Sequence, residues 1–369
     1  MSTFILPTLP PNVDLETKAI LKKLTVAHRH LAELKGRAAT IPNESILIHT
    51  LALQEAKDSS EIENIVTTHD ELFRAQLSDD SANPAAKEVS QYVEALLAGF
   101  VSVRDSRLIT TNQILQIQAI LEQNDAGFRK LPGTALRNRL TGEVVYTPPQ
   151  DPARIIELMS DLESFVNDPM RLDADPLVKM ALIHYQFESI HPFYDGNGRT
   201  GRIINILYLV ANDLLNLPIL YLSRYIIQNK PDYYRLLQEV RTRHAWEEWV
   251  LFMLDGVAIT ARQTIELIGS IRTMMIDYKH RIRKQFPRIY SQDLLNNLFR
   301  HPYTKIAILQ KDLAVSRLTA TRYLDILVDA GFLNKHRLGR TNYYINTPLV
   351  NLFLTLPGST SSADAPPAR

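Results

Sequence analysis

Twelve consecutive residues, 191–202, contain the residue types that a phosphate-binding site requires. The segment reads HPFYDGNGRTGR and includes His191, Asp195, Arg199 and Arg202. A histidine can take a proton near neutral pH, and a carboxylate can hold a hard cation such as Mg²⁺. Arginine presents a fork of N–H donors that matches phosphate oxygens. The combination predicts a site that holds a polyphosphate for attack at phosphorus, whereas a glycine-rich loop alone would indicate only a connection.

Two predicted helices position this segment. Apolar residues recur at three- and four-residue spacing through residues 176–190, which indicates a helix, and residues 202–210 are mostly apolar and indicate a second one. Gly196 and Gly198 allow a tight turn between them. Backbone amides that open a helix lack intrahelical partners and lie at the positive end of its dipole. The sequence therefore predicts a helix–loop–helix joint with an anion-binding loop.

The segment resembles the Fic motif, H-x-F-x-[DE]-G-N-G-R-x-x-R, at every specified position. Proteins of the Fic family transfer AMP from ATP to a hydroxyl side chain of a target protein and release pyrophosphate. The resemblance implies that His191 is the general base and that Asp195 carries Mg²⁺, with Phe193 as a buried anchor. The residues implied to bind the nucleotide along this loop are Asp195, Gly196, Asn197, Gly198, Arg199, Thr200, Gly201 and Arg202.

A second resemblance lies near the N-terminus. Ser59, Glu63 and Asn64 match the inhibitory pattern of the Fic family, [ST]-x-x-x-E-[GN]. Without the motif, this stretch would indicate only a helix cap and solvated glutamates. The resemblance implies that Glu63 pairs with Arg202, denies that arginine to the γ-phosphate and so inhibits the enzyme. A Glu–Arg pair suits a switch, because breaking it frees a strong phosphate ligand.

Residues 137–149 change from helical to alternating, β-branched character around Thr141-Gly142, which predicts a β-hairpin. An isolated hairpin is marginal unless it packs on something, so a structural clasp is one interpretation. In the Fic family this hairpin is the flap, which pairs with the target's backbone by strand addition. The residues expected to contact the target or the nucleotide are Val144, Val145, Tyr146 and Thr147.

Residues 223–237 predict another helix, with Asp232 as a candidate cap. Tyr233 and Tyr234 offer flat rings; core packing is the ordinary interpretation, and it must hold for one of them. Because the family uses an aromatic residue here against the nucleotide, we predict that Tyr233 has this role. Arg241, two turns further on, is a second candidate.

From residue 290 the sequence resembles a winged-helix domain. Helices are predicted at 305–313 and 317–330, with Ser316 as a cap, followed by two short strands. Lys and Arg outnumber Asp and Glu between residues 300 and 340, so this surface could contact DNA or protein. The alternative function is thus a nucleotide-sensing, DNA-binding regulator. The intact His191 argues against it, because a sensor needs no base.

The expected fold is mainly α: a Fic helical bundle with a β-hairpin flap, and a C-terminal winged helix-turn-helix domain. The predicted division is 1–105 (N-terminal, inhibitory), 106–257 (catalytic core), 258–289 (connector), 290–350 (winged helix) and 351–369 (disordered tail). The 369 residues contain no cysteine, which excludes disulfides. The net charge is +1, so the molecule as a whole is not a protein that binds a polyelectrolyte through its total charge. No membrane segment or signal peptide is predicted, so a cytoplasmic location is expected.

The expected substrates are ATP and a protein with a Ser, Thr or Tyr hydroxyl, with Mg²⁺ as the metal. The protein itself and DNA are further candidate partners. The resemblance favours a homodimer.

Overall fold

The computed structural model describes residues 6–75, 83–137, 141–338 and 341–355. These residues are mostly helical. The N-terminal helices are α1 (Lys18–Ala38), α2 (Glu44–Ile62), α3 (His69–Ala75), α4 (Pro84–Ser106) and α5 (Thr111–Glu122). Next come β1 (Leu136–Arg137), β2 (Val144–Tyr146), α6 (Pro152–Asn167), α7 (Pro176–Ile190), α8 (Asn197–Ala211), α9 (Leu222–Gln228), α10 (Lys230–Arg243) and α11 (Trp246–Gln285).

The C-terminal unit contains α12 (Gln292–Arg300), β3 (Tyr303–Thr304), α13 (Ile306–Leu313), α14 (Arg317–Asp329), β4 (Asn334–Leu338), β5 (Thr341–Ile345) and α15 (Thr347–Leu354). Its three strands form an antiparallel sheet in the order β3-β5-β4. The predicted turn at 339–340 and most of the predicted tail, residues 356–369, lie outside the described residues, and residues 351–354 belong to α15.

Side-chain caps begin several helices, including the cap predicted at Ser316. Asn43 accepts a hydrogen bond from Ser45 N, Asp151 from Ala153 N and Ser316 from Thr319 N. Each cap satisfies an amide that the helix leaves without a partner. Thr110 and Gln113 form a reciprocal capping box on α5.

Two predicted helix starts are wrong. Helix α10 begins at Lys230, so Asp232 lies in its first turn instead of capping it. Helix α8 begins at Asn197, five residues earlier than expected. The proposed boundary between core and connector, at 257/258, falls inside the 40-residue helix α11. At 1.5 Å per residue, that helix is about 60 Å long.

The two motif helices lie at the centre of the fold. Every α7 residue from Leu177 to Ile190 is buried, so this helix is enclosed by protein on all faces. Helix α8 packs on α7 and α4, and α1 lies along α11. Of the helices in the described part of the chain, none has both the length and the apolar character needed to cross a membrane.

The C-terminal unit packs directly against the N-terminal helices. Helix α12 packs on α2, with the rings of His49 and His301 6.4 Å apart. The Phe73 ring of α3 stacks on Tyr303 at 5.2 Å, and the Tyr303 hydroxyl lies 2.7 Å from Asp70 Oδ1. The helix that carries Ser59 is therefore enclosed between the motif helices and the C-terminal unit.

Candidate active site

His191 ends α7 and begins the motif loop. Its backbone N–H donates to Phe187 O, and its φ of 48° turns the chain out of the helix. Gly196 precedes α8 with φ 77°, a conformation that glycine adopts without steric cost. The buried helices therefore place the loop by terminating immediately on either side of it.

Asn197 holds the loop closed. Its Oδ1 accepts from Phe193 N at 2.8 Å and its Nδ2 donates to Phe193 O at 2.9 Å. Phe193 is fully buried against Phe128, as expected for an anchor. The Asn197 side chain is thus bonded to the loop backbone rather than turned towards a ligand, so its predicted role in binding phosphate falls to its backbone amide.

Arg129 is a loop-supporting residue that sequence analysis missed. The side chain is 1% exposed. Its Nε donates to His191 O at 2.8 Å, a second nitrogen donates to Pro149 O after the hairpin, and its backbone N–H donates to Pro192 O at 2.9 Å. One residue thus fixes the loop and the end of the hairpin together. The sequence around Arg129 does not indicate this role, because its side-chain partners Pro149 and His191 lie 20 and 62 positions away.

The environment of His191 favours the neutral imidazole. Burial, followed by the positive charge of Arg129, lowers the pKa of His191 to about 4. The ring Nδ1 is buried, and the backbone of Glu188 opposes the lowering in part by favouring the protonated ring. A histidine with this pKa is unprotonated at neutral pH and can accept a proton.

Asp195 is the exposed member of the motif. Its side chain is 83% exposed, and its Oδ1 accepts from Gly196 N at 2.7 Å. The part of the chain that the structure describes holds no group of three or more His, Cys, Asp or Glu suited to a metal. Mg²⁺ is commonly held by one or two carboxylates together with substrate phosphates, so one open carboxylate beside an anion site fits it.

The first turn of α8 exposes uncapped backbone amides to the loop, and two glutamate carboxylates lie close to it. Within the described residues no side chain caps this helix, so its first amides and the positive end of its dipole point into the loop. A Cβ on Gly198 would lie 2.4 Å from Glu63 Oε1, and one on Gly196 would lie 2.4 Å from Glu122 Oε1. Thr200 is fully buried, so its side chain lies below this surface.

The two motif arginines have different surroundings. Arg199 is 4% exposed and forms ion pairs with Glu122 at 2.8 Å and Glu88 at 3.1 Å. Sequence analysis missed both glutamates, which lie on α5 and α4, because neither belongs to a motif. Two carboxylates neutralise this guanidinium and tie α8 to α4 and α5, so Arg199 is a less available phosphate ligand than predicted.

Arg202 forms the predicted contact with the N-terminal segment. The side chain is 2% exposed, and its Nη2 lies 2.9 Å from Glu63 Oε1. Its Nε donates to Ser59 Oγ at 2.7 Å, and Nη2 also donates to Ser59 O at 3.0 Å. Burial alone would raise the pKa of Glu63, but the charge and hydrogen bond of Arg202 outweigh it and lower that pKa. Both members of the pair are therefore charged at neutral pH.

Asn64 has a backbone role in this segment. Its φ of 67° lies in the left-handed region, which glycine and asparagine tolerate best. Lys230 Nζ donates to Ile62 O at 2.6 Å and contacts Asn64 Oδ1 at 3.4 Å. The asparagine thus allows the turn that directs Glu63 towards Arg202.

The predicted hairpin is present between β1 and β2, although its residues 138–140 lie outside the described part. Val144, Val145 and Thr147 are exposed, as expected of a surface that meets a partner. Tyr146 is instead buried: its hydroxyl donates to Ser189 O at 2.7 Å, and the Arg241 guanidinium lies 3.9 Å from its ring centre. Tyr146 therefore anchors the flap to α7.

The predicted roles of Arg241 and Tyr233 need correction. Arg241 is 8% exposed and supports Tyr146 rather than facing an open pocket. Tyr233 is 1% exposed, and its hydroxyl lies 2.9 Å from His184 Nε2 in the core. A ring enclosed in this way has no free face for a nucleotide. Its neighbour Tyr234 is 47% exposed.

The site combines the uncapped N-terminus of α8 with a neutral histidine, His191, and an exposed carboxylate, Asp195. Its buried arginine, Arg202, is paired with Glu63 of the N-terminal segment. Three family descriptions match the chain in order. They are "Fic/DOC family N-terminal" over residues 21–101, "Fic/DOC family" over 108–209 and "Protein adenylyltransferase SoFic-like, C-terminal domain" over 274–349. The chain belongs to the Fic family.

Curated relatives match over short segments. A protein adenylyltransferase, fic-1, of Caenorhabditis elegans is 36% identical over 64 residues, which are 17% of this chain and 13% of the relative. A probable protein adenylyltransferase of Aquifex aeolicus is 36% identical over 81 residues, 22% of this chain and 24% of the relative. The matches thus span less than a quarter of each relative's length.

Solved structures share the fold. A Fic family protein from Desulfovibrio desulfuricans has a TM-score of 0.56 at 20% identity, covering 91% of this chain and 98% of that protein. Fic-1 of C. elegans has a TM-score of 0.52 at 20% identity, covering 68% of this chain and 74% of that one. The predicted mainly helical Fic fold is confirmed. The hypothesis of a DNA-binding regulator gains no support from these similarities.

Proposed function

We propose that this protein is an adenylyltransferase that transfers AMP from ATP to a hydroxyl side chain of a protein and releases pyrophosphate. One observation carries the proposal: His191 at the end of α7, Asp195 in the loop and Arg202 near the start of α8 all belong to the short joint between two buried helices. The names of the curated relatives add support, since they are protein adenylyltransferases.

The reaction would proceed by in-line attack of the target hydroxyl on the α-phosphorus. An oxygen–phosphorus bond to the target forms, the bond to the pyrophosphate oxygen breaks, and His191 takes the hydroxyl proton. With a pKa of about 4, His191 is in the form that accepts a proton. The opening amides of α8 would stabilise the developing negative charge on the phosphate oxygens.

Asp195 is the proposed residue for Mg²⁺, because its carboxylate is exposed beside the anion site. When bound, the cation neutralises phosphate charge and polarises the phosphoryl group. Gly196 and Gly198 keep the floor of the site free of side chains. Arg199, tied to two glutamates, acts in this proposal by fixing the loop rather than by gripping phosphate.

We further propose that the protein as described is autoinhibited. Glu63 occupies the space above Gly198 and holds Arg202, and a carboxylate there repels a phosphate that would take the same position. Ser59 and Asn64 support this arrangement through a hydrogen bond and a left-handed turn. Withdrawal of Glu63 would free both the space and the guanidinium for the γ-phosphate.

The exposed face of the flap is the proposed docking site for the target. Val144 and Val145 are exposed on the short strand β2, Thr147 is exposed directly after it, and the strand's Tyr146 is fixed to α7. An extended segment that adds to this strand would be held mainly by backbone hydrogen bonds, which tolerate varied target sequences. The C-terminal unit, which we interpret as a winged helix, contributes no residue to the chemistry in this proposal.

The test is incorporation of label from α-phosphate-labelled ATP with Mg²⁺, alone and with cell lysate. We expect weak labelling with wild type, strong labelling with Glu63→Gly and none with Glu63→Gly/His191→Ala. Labelling that persists without His191 would refute the base assignment. Transfer of γ-phosphate label instead of α-phosphate label would indicate a kinase-type reaction and overturn the proposed activity.

A further inference from the structure

Glu188 is a buried acid at the site to which the proposed reaction gives no role. It lies in the last turn of α7, three residues before His191, and is 9% exposed. Its Oε1 is buried, and no described residue offers it a hydrogen bond. A buried carboxylate oxygen without a partner costs free energy unless the group is protonated or another charge reaches it.

Two glycines of α8 make room for two carboxylates. A Cβ on Gly198 would lie 2.4 Å from Glu63 Oε1, and a Cβ on Gly201 would lie 2.8 Å from Glu188 Oε1. Positions 198, 201 and 202 share one face of a helix because they are spaced by three and four residues. Both carboxylates thus approach the face of α8 that carries Arg202, one from the N-terminal segment and one from the motif helix.

Charged groups from every neighbouring element act on Glu188. Burial raises its pKa to about 7, Arg202 on α8 lowers it, Glu63 raises it and Arg241 on α10 lowers it. Tyr233, also on α10, is uncharged at neutral pH because its pKa lies well above 10. The charge of Glu188 therefore depends on which other negative charge lies beside Arg202.

We propose that Glu188 is the proton-exchanging partner of Arg202: it is ionised when Glu63 has withdrawn, and protonated when Glu63 or a polyphosphate lies beside that arginine. This inference rests on the proposed function and adds a positioning residue to it. When Glu63 has withdrawn and no nucleotide is bound, the ionised carboxylate of Glu188 neutralises the charge of Arg202. Protonation of Glu188 removes its negative charge when the negatively charged polyphosphate of the nucleotide binds beside Arg202.

The direction of the pH dependence follows from this exchange. Withdrawal of Glu63 removes a negative neighbour and lowers the pKa of Glu188, whereas an incoming polyphosphate raises it again. Binding of ATP to the released enzyme then takes up a proton, so affinity falls as pH rises through neutrality. One linked proton changes the dissociation constant by at most about tenfold per pH unit.

The experiment is ATP binding with Mg²⁺, measured by titration calorimetry from pH 6 to 8.5 in two buffers of different protonation enthalpy. The two proteins compared are Glu63→Gly and Glu63→Gly/Glu188→Gln. The nucleotide's own protonation is common to both, so their difference isolates Glu188. We expect proton uptake and a severalfold weaker affinity at high pH with Glu63→Gly, and a smaller slope with less uptake in the double variant.

The matched control is Glu63→Gly/Glu157→Gln, which changes an exposed glutamate of α6 that pairs with Arg154. It should behave as Glu63→Gly does. Thermal unfolding checks that the Glu188 variant is folded, and Glu188→Met provides a second uncharged side chain of similar length. Equal proton uptake with and without Glu188 would overturn the inference alone if Glu63→Gly still transfers AMP. Absence of ATP binding to Glu63→Gly would overturn the proposed function as well.

Discussion

Replacing Glu63 by glutamine tests whether the charge of this side chain, rather than its shape, causes the proposed inhibition. The amide keeps the size of the carboxylate and can still accept from Arg202 Nη2, which lies 2.9 Å away, but it carries no charge. A hydrogen bond to a charged group contributes about 1.5–3 kcal/mol. The amide's bond to Arg202 still involves one charge, so it falls towards the lower end of that range because the attraction between two opposite charges is lost. The inhibited state of Glu63→Gln should therefore weaken by about 1 kcal/mol, which corresponds to a rate gain of about 5-fold.

Glu63→Gly removes the whole contact and clears the space above Gly198. A loss of about 1.5–3 kcal/mol corresponds to about 10- to 150-fold. The assay is the initial rate of α-phosphate label incorporation at an ATP concentration well below saturation, where the rate reports the availability of Arg202. We expect the order wild type, Glu63→Gln, Glu63→Gly.

Glu61→Gln is the matched control. Glu61 lies two residues earlier in the same segment and pairs with Lys57 at 3.3 Å instead of with Arg202. This variant should label as wild type does. The reasoning fails if Glu63→Gln transfers AMP no faster than wild type, or if Glu61→Gln produces the same gain.

The same substitution should lower stability while it raises activity. Arg202 is 2% exposed, and removing one partner of a buried ion pair leaves an uncompensated charge. Both Glu63 variants should therefore unfold at a lower temperature than wild type. Saturating ATP should restore part of that loss, because a ligand that binds only the folded state stabilises it. A variant that is more active and equally stable would indicate that Arg202 finds another partner.

Three further predictions concern the turn, the base and the flap. Asn64→Gly should keep inhibition, whereas Asn64→Val should raise labelling severalfold, because a β-branched residue is strained at φ 67°; a low rate in both variants would contradict this. In Glu63→Gly at saturating ATP, the acid limb of the pH–rate profile should lie below 6.5, near 4, because His191 must be neutral to accept the proton; a limb above 6.5 would exclude this assignment. Tyr146→Phe should raise KM for the protein target severalfold without changing ATP affinity, because the flap loses its hydrogen bond to Ser189 O; an unchanged KM would show that the anchor is unimportant.

The sequence predicts the site well where one local pattern contains all the information. The loop, its histidine and its carboxylate lie within twelve residues, and the structure places them between two helix ends as expected. The contact between Glu63 and Arg202 was predicted across 139 positions, but only because a family pattern supplied the pairing. No periodicity of this chain alone would have indicated it.

The early start of α8 could not be predicted from local preference. Gly198 and Gly201 weaken a helix by about 1 kcal/mol each relative to alanine, so sequence analysis placed them in a loop. In the structure a Cβ on Gly198 would lie 2.4 Å from Glu63 Oε1 and one on Gly201 would lie 2.8 Å from Glu188 Oε1, so a larger residue at either position would displace a carboxylate. The information resides in two distant segments that pack against the helix.

The choice between Tyr233 and Tyr234 could have been made from the sequence. Tyr233, Leu236, Leu237 and Val240 recur at the spacing of one helix face, and all four are buried. That pattern assigns Tyr233 to the core and leaves its neighbour outside. The burial of Tyr233 follows the periodicity of this helix rather than the expectation from the family.

The packing of α2 restricts how inhibition can be relieved. Glu55 accepts hydrogen bonds from the backbone and hydroxyl of Ser223, and Asp58 lies 3.4 Å from Arg224 in the interior. Moving the whole helix would break these buried polar contacts, and separating a buried ion pair is costly. The turn that begins at Glu63 lies outside the helix and has its own left-handed residue. A shift confined to that turn would withdraw Glu63 from Arg202 while α2 and its Ser59 contacts to Arg202 stay in place. The proposed relief of inhibition therefore requires only local rearrangement.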